Sequence, residues 1–459
     1  MRTKKGIRPV AILPLGFLGL ILVGTVLLSL PAATVDRTSI GVFDAWFTAT
    51  SASCITGLIV TDTAATFSMF GQVVIIMLIQ CGGLGFMTMA TLLFLSVRNR
   101  ISLKERLTIA ESLGENKLSG IVRLGRNAAI ITFGCELIGA ALLSIRFIPM
   151  LGLSKGIWYS VFHSISAFCN AGFDLMGRVT GEYSSFTALH GDLLVNLTLI
   201  GLIIIGGLGF AVIMDLGAFR RTRHLSIHTK LVLFTTLVLV AAGALLFFVF
   251  EYNNSGTMQA MGVGEKALAS LFQSVTCRTA GFNTVDQASL TDSSKLLSSM
   301  LMFIGGAPAG TAGGIKVTTV ALLALTLRSF LRGHSDVNVF RRRISPALVQ
   351  RSLCIFIVGI LMMMSASMIV SFSQIGSGSS FIDVFFELAS AVGTVGVSTG
   401  VTMEATAMTR VVLCLFMFAG RVGPLTLVLS LSGKSDDSTF RYPEGSIMAV
   451  SYTHLRAHE

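Results

Sequence analysis

The chain has 459 residues, of which 53% are hydrophobic and only 12% charged, with a formal net charge of +11 and a mean hydropathy of +0.79. Soluble globular chains carry about 25% charged residues, so this composition excludes an ordinary cytosolic enzyme, a disordered chain and a secreted disulfide scaffold. The excess cations sit in separate clusters, and the run Arg341–Arg343 has only Phe340 beside it, which argues against a nucleic-acid surface. The chain reads as a polytopic membrane protein.

A basic tail (Arg2, Lys4, Lys5, Arg8) precedes Pro9–Val35, a stretch without a single charge. It exceeds the roughly 7–15 apolar residues of a signal peptide and predicts a first membrane span. Phe47–Leu58 is shorter and rich in small residues, and Thr63–Val97 predicts a second span. The pattern then recurs. A basic linker, Arg98–Arg126, leads to Asn127–Ser144, the short stretch Phe162–Phe173 and the span Leu193–Met214. Arg220–Lys230 leads to Leu231–Phe250 and Leu296–Leu327, which flank Phe272–Phe282. Arg328–Arg351 leads to Ser352–Phe372 and Val411–Gly433, which flank Phe386–Val397, and a tail starts at Lys434. These tails and linkers hold 24 of the 34 Lys and Arg residues. Their alternation along the chain puts them, and both termini, on the cytoplasmic side by the positive-inside rule.

The expected fold is therefore all-α. Four tandem helix–pore-loop–helix repeats, with eight transmembrane helices and four pore helices, surround one pseudo-fourfold pore. The repeats are 1–97, 98–219, 220–327 and 328–433, followed by a cytoplasmic tail, 434–459. Each short stretch runs into a glycine: Gly57, Gly172, Gly281 and Gly396, at intervals of about 110 residues. A phenylalanine precedes the glycine by ten positions in three copies (Phe47, Phe162, Phe386) and by nine in the third (Phe272).

This pattern suits cation passage. A dehydrated cation needs oxygens that replace its water shell, and backbone carbonyls supply them without fixed charge. Aiming carbonyls at one axis takes the backbone out of helix and strand geometry, which glycine permits. A half-helix whose C-terminal end faces that axis adds partial negative charge. One such glycine could serve close helix packing; four in register point to a pore.

Ser166–Asp174 (SAFCNAGFD) and Gln273–Thr284 (QSVTCRTAGFNT) resemble the selectivity-filter segments of the Trk/Ktr/HKT superfamily of potassium transporters. The likeness runs from Pro9 to about Gly445 and is nearest to the bacterial Ktr membrane subunit in length and linkers. It implies potassium uptake across the bacterial cytoplasmic membrane. It also implies a filter at Thr56, Gly57, Ala171, Gly172, Ala280, Gly281, Val395 and Gly396, with potassium bound by backbone carbonyls. Glycine at all four positions goes with potassium preference in that superfamily, and serine at the first with sodium permeation. The resemblance further implies a homodimer and a soluble, KtrA-like ring of nucleotide-binding subunits, docked on Arg98–Arg126 and Arg328–Arg351. Lipid contact would account for those basic loops equally well. No covalently bound cofactor is expected, and nucleotide regulation would come only through the partner.

Gly305, Gly306, Gly310, Gly313 and Gly314 with Pro308 would break any continuous helix. The superfamily counterpart is an intramembrane gating loop. Lys316, at its end, either snorkels or pairs with a carboxylate. Arg421 lies mid-span, where a cation is costly unless it faces water or a partner. The resemblance puts it in the pore beneath the filter, and a structural ion pair is the alternative. Arg278, three residues before Gly281, is expected to hold the scaffold through hydrogen bonds. Asp44, Asp174, Asp383 and Glu387 either attract cations at the outer mouth or cap loops, and Glu136 is expected to pair with a neighbour.

Gly152–Gly156 fits GxSxG without a strand–turn–helix context, and Gly314-Ile315-Lys316 is not a phosphate loop. The seven cysteines form no CxxC pair, and His163 reads as a core or mouth histidine. Phe440–Gly445 resembles the family's tail and suggests dimer contacts, whereas Ser451–Glu459 departs from it and reads as an artefact of the sequence. Three rivals remain: a sodium-permeable or poorly selective transporter of the same fold, a substrate-coupled secondary transporter, and an intramembrane enzyme, which lacks an acid–base or metal constellation.

Overall fold

The computed structural model of the chain describes residues 9–85, 121–334, 336–376 and 378–423. Apart from one two-stranded hairpin, Asn338–Val339 with Arg342–Arg343, its longer elements are helices. In chain order these are α1 (Pro9–Leu28), α2 (Val42–Ser53), α3 (Met69–Leu84), α4 (Ile121–Leu151), α5 (Leu153–Phe168), α6 (Leu193–Leu208) and α7 (Phe210–Thr222). There follow α8 (Ile227–Glu251), α9 (Val263–Thr276), α10 (Asp292–Phe303), α11 (Val317–Leu331), α12 (Pro346–Ser373), α13 (Phe381–Gly393) and α14 (Ala407–Val422). The arrangement is that of an all-helical membrane protein.

Among the described residues, three helices are long and apolar enough to cross a bilayer: Gly125–Leu151, Ile227–Glu251 and Pro346–Ser373. Their outward residues, such as Leu137, Leu237 and Met368, are exposed apolar side chains suited to lipid. The remaining predicted spans need correction. Pro9–Val35 is helical only to Leu28, because the chain turns into a short 3-10 segment at Pro31–Ala33. Leu193–Met214 is not one rod: α6 and α7 meet at 97°, about Gly209 with φ +86°. Leu296–Leu327 falls on α10 and α11, separated by a loop over 304–316. Gly85 and Gly423, both at positive φ, end α3 and α14. The rest of Thr63–Val97 and Val411–Gly433, most of Arg98–Arg126 and the tail 434–459 lie outside the described residues.

Side-chain caps fix where α3, α6, α10 and α14 begin. Ser68, Asp192, Thr291 and Thr406 each accept a hydrogen bond from the backbone N–H three residues on. The packing is cyclic. The short helices α2, α5, α9 and α13 lie against α1, α4, α8 and α12, the helices that precede them. In turn α3 packs on α5, α6 on α9, α10 on α13, and α14 closes on α2. Phe47, Phe162, Phe272 and Phe386 are completely buried, one on each short helix. In the third copy the short helix ends four residues after its phenylalanine, against six or seven in the others, which accounts for the nine-residue interval while the phenylalanine stays in the core.

Candidate functional site: a ring of four glycines

Each short helix stops three to five residues before one of the four glycines. The backbone then passes through a left-handed residue (Ile55, Asn170, Thr279, Thr394; φ 51–78°) two positions ahead of the glycine. Gly57, Gly172, Gly281 and Gly396 have φ between 71 and 96°, where an L side chain is strained. Space forbids a side chain as well. A Cβ on Gly172 would lie 2.8 Å from the Ala280 carbonyl oxygen, and one on Gly281 2.5 Å from that of Val395. A Cβ on Gly57 would strike the Ala171 carbonyl, and one on Gly396 that of Thr56. These neighbours run from the first loop to the second, third, fourth and back to the first. The ring is closed.

Hydroxyls hold the loops in two ways. Ser51 and Ser390 accept from the N–H of Gly57 and Gly396 at 3.0 Å. Ser166 and Thr276 instead donate to the carbonyls of Phe173 and Phe282 at 2.7 Å. The division follows the residue after the glycine, which is aliphatic in loops one and four (Leu58, Val397) and phenylalanine in two and three.

All four glycines border a cavity of about 310 Å³. Three carboxylates line it: Asp62, Asp174 and Asp286. Asp62 accepts from the N–H of Ala65 at 2.8 Å and of Tyr183 at 3.0 Å. Burial pushes the Asp174 carboxyl up to about 6, the Met176 N–H lowering it and the nearby Asp62 charge raising it. Asp44 and Asp383 face other partners, in ion pairs of 2.7 Å with Arg410 and Lys295. Glu387 is buried and accepts from Ser398, Thr399 and Thr402. Of the four acids singled out by sequence, three therefore anchor structure and Asp174 alone lines the cavity. Asp62 and Asp286 were not singled out, although each stands five residues after its glycine.

On the other side of the ring, residues 304–316 fold into a loop closed by the bond from Gly305 N–H to the Ile315 carbonyl, 2.9 Å. The loop reaches the bend between α6 and α7: Ala307 donates to Gly207 at 2.9 Å, and Phe210 donates to Ala309 at 3.0 Å. Added Cβ atoms would meet the Gly313 carbonyl at Gly305, Ala312 at Gly306 and the Thr394 hydroxyl at Gly313. Gly310 is less crowded, and Gly314 has φ +70°. Arg421 clasps this loop. Its guanidinium donates to the carbonyls of Thr311 and Gly82, and to that of Gly83 at 3.3 Å. Among the described residues no carboxylate pairs with it. Lys316 Nζ donates to the Ala312 carbonyl at 2.7 Å, so it too is bound by backbone.

Arg278 donates one long bond, 3.5 Å, to the Thr236 carbonyl of α8, and its Nε has no partner. The expected set of scaffold bonds reduces to that contact. Glu136 does meet a neighbour, accepting from Gln80 Nε2 at 3.0 Å. His163 is fully buried, its Nδ1 2.7 Å from the Tyr159 carbonyl and its Nε2 accepting from the Leu175 N–H at 3.0 Å. Among the described residues no group of His, Cys, Asp and Glu could hold a metal ion. What the site offers is backbone oxygen at the ring and carboxylate oxygen above it, a pattern suited to alkali cations.

The sequence profile of the TrkH family, described as a cation transport protein, matches residues 20–442. The chain is 40% identical to the Ktr system potassium uptake protein B of Bacillus subtilis (strain 168), over 96% of each. It is 38% identical to the potassium/sodium uptake protein NtpJ of Enterococcus hirae, over 97% of this chain and 98% of that one. In three dimensions it resembles the crystal structure of the potassium transporter TrkH from Vibrio parahaemolyticus. That match has a TM-score of 0.72 at 20% identity, over 94% of this chain and 86% of the other.

Proposed function

The chain belongs to the TrkH family of cation transport proteins, and from that premise we propose that it is the potassium-translocating subunit of a Ktr-type uptake system in a bacterial cytoplasmic membrane. It is a transporter and not an enzyme. One observation carries the potassium assignment: the closed ring in which each glycine lies against the carbonyl of the residue before the next one. In this reading the four repeats, divided after residues 97, 219, 327 and 433, surround one pore. Potassium sheds water at the ring, where the carbonyls of Thr56, Ala171, Ala280 and Val395 and the C-terminal ends of α2, α5, α9 and α13 compensate the lost hydration.

Beneath the ring, Arg421 and the loop from Gly305 to Lys316 form the gate. The guanidinium opposes cation flow, and its bonds to Thr311, Gly82 and Gly83 tie the loop across the pathway to α3. Opening breaks those bonds. Arg278 supports the ring from behind. That relatives are named as parts of a Ktr system supports a multi-component assembly, here a homodimer with a cytoplasmic nucleotide-binding ring and both termini inside. A second reading, passage of sodium as well, is favoured by the name of the Enterococcus relative, a potassium/sodium uptake protein, and opposed by glycine at all four ring positions.

The test is growth of a bacterium lacking its own potassium uptake systems on limiting potassium, with this chain and a regulatory subunit expressed together. Rescue by the wild type and none by Gly281→Ser in excess sodium is the expected result. Absence of rescue by the wild type overturns the assignment.

A further inference from the structure

A cavity of about 640 Å³ opens between α8, α11 and the hairpin Asn338–Arg343, and it shares no lining residue with the cavity at the glycine ring. One wall is aliphatic and aromatic: Leu231, Phe234 and Val238 on α8, with Ala324 and Leu325 on α11. The rim carries the cations Arg328 and Arg332, with the His334 imidazole beside them. Its carboxylate, Asp336, is neutralised by Arg343 at 2.9 Å, and Lys230 stands beside the rim with Nζ 5.7 Å from the Phe340 ring centre.

The dimensions identify the occupant. At 1.5 Å per residue, Lys230 beside the rim to Val238 spans about 12 Å of α8, and Ala321 to Leu331 about 15 Å of α11. Half of a hydrocarbon core of about 30 Å is the same depth. A small soluble anion would need the rim but not the apolar trench, and a neutral lipid would need the trench but not the cations. We propose that this cavity holds one anionic phospholipid of the inner leaflet, its acyl chain along α8 and α11 and its phosphate among Arg328, Arg332 and His334. The assignment to the inner leaflet rests on the orientation read above from the basic clusters. The site also bears on the gate: α11 begins at Val317, whose N–H donates to the Gly306 carbonyl at 3.0 Å. A lipid wedged against α11 therefore steadies the loop from outside.

Native mass spectrometry of the full-length protein, presented with equal amounts of dioleoyl phosphatidylglycerol and dioleoyl phosphatidylcholine, tests this without any transport readout. The wild type should retain phosphatidylglycerol preferentially. Arg328→Ala with Arg332→Ala should lower that retention at least about tenfold, since each basic residue near the membrane surface contributes about one factor of five. Ala324→Trp, which fills the trench and leaves the charges, should lower it too. Arg220→Ala with Arg221→Ala, elsewhere on the same basic side, should leave it unchanged. Equal retention of the two lipids, no retained lipid on the wild type, or an equal loss in the Arg220 and Arg221 pair would overturn the proposal. Because retention is read directly, failure here would leave the potassium assignment standing.

Discussion

At the scale of single residues, the ring is a case where conformation and space both demand glycine. Gly281 combines φ +86° with a would-be Cβ only 2.5 Å from the Val395 carbonyl oxygen. Gly281→Ser should therefore displace that carbonyl and weaken potassium-over-sodium discrimination by more than about tenfold, read as rubidium uptake against excess sodium. Arg421 spans two elements because a guanidinium presents several donors in a fixed fork, which lysine lacks. Arg421→Ala should raise unstimulated rubidium flux severalfold, with Arg421→Lys between it and the wild type. An unchanged basal flux in both would remove Arg421 from the gate. Asp174 gives a pH signature. Its pKa of about 6 lies above the ordinary carboxylate value, so it is charged above pH 6 and neutral below. As pH falls through 6 the outer cavity loses a negative charge, and half-saturation for rubidium should rise; Asp174→Asn should abolish that step.

At the scale of elements, the loop between α10 and α11 is held by its lack of side chains. Gly313→Ala would press a methyl onto the Thr394 hydroxyl of the fourth ring loop. Overpacking of this kind costs about 1–3 kcal/mol, so the variant should melt several degrees lower and leak more than the wild type. The loop was legible in the sequence because five glycines and a proline are incompatible with a membrane helix. The bend at Gly209 was not, because the glycines of this apolar run (Gly206, Gly207, Gly209) read equally as packing contacts. The long spans α8 and α12 announced themselves by charge-free apolar runs, and α4 by one interrupted only by Glu136. The short helices were found by repetition of a phenylalanine and a glycine, not by hydropathy. The acids were the least legible. Asp44 meets Arg410 from 366 positions away, a pairing that no local pattern encodes, while Asp62 and Asp286 looked like ordinary loop residues until the fold gathered them above the ring.

At the scale of the whole molecule, cyclic packing is what makes four dissimilar loops into one site. Each of α3, α6, α10 and α14 braces the next short helix, and α14 closes the circle on α2. A continuous pathway with a gate moves ions down their electrochemical gradient. A potential of 100 mV is worth about 2.3 kcal/mol per charge, which sets a limit of about fiftyfold accumulation of a monovalent cation. A substrate-coupled transporter can exceed that limit. The direct measurement is rubidium uptake into proteoliposomes of the purified protein with its regulatory subunit. The inside-negative potential of 100 mV is set by a proton gradient and a protonophore, with excess sodium outside. A passive, potassium-selective ring predicts accumulation that levels off at about fiftyfold for the wild type, little affected by sodium, and a sodium-sensitive plateau for Gly281→Ser. Accumulation well beyond that limit, or a Gly281→Ser variant as discriminating as the wild type, would contradict it.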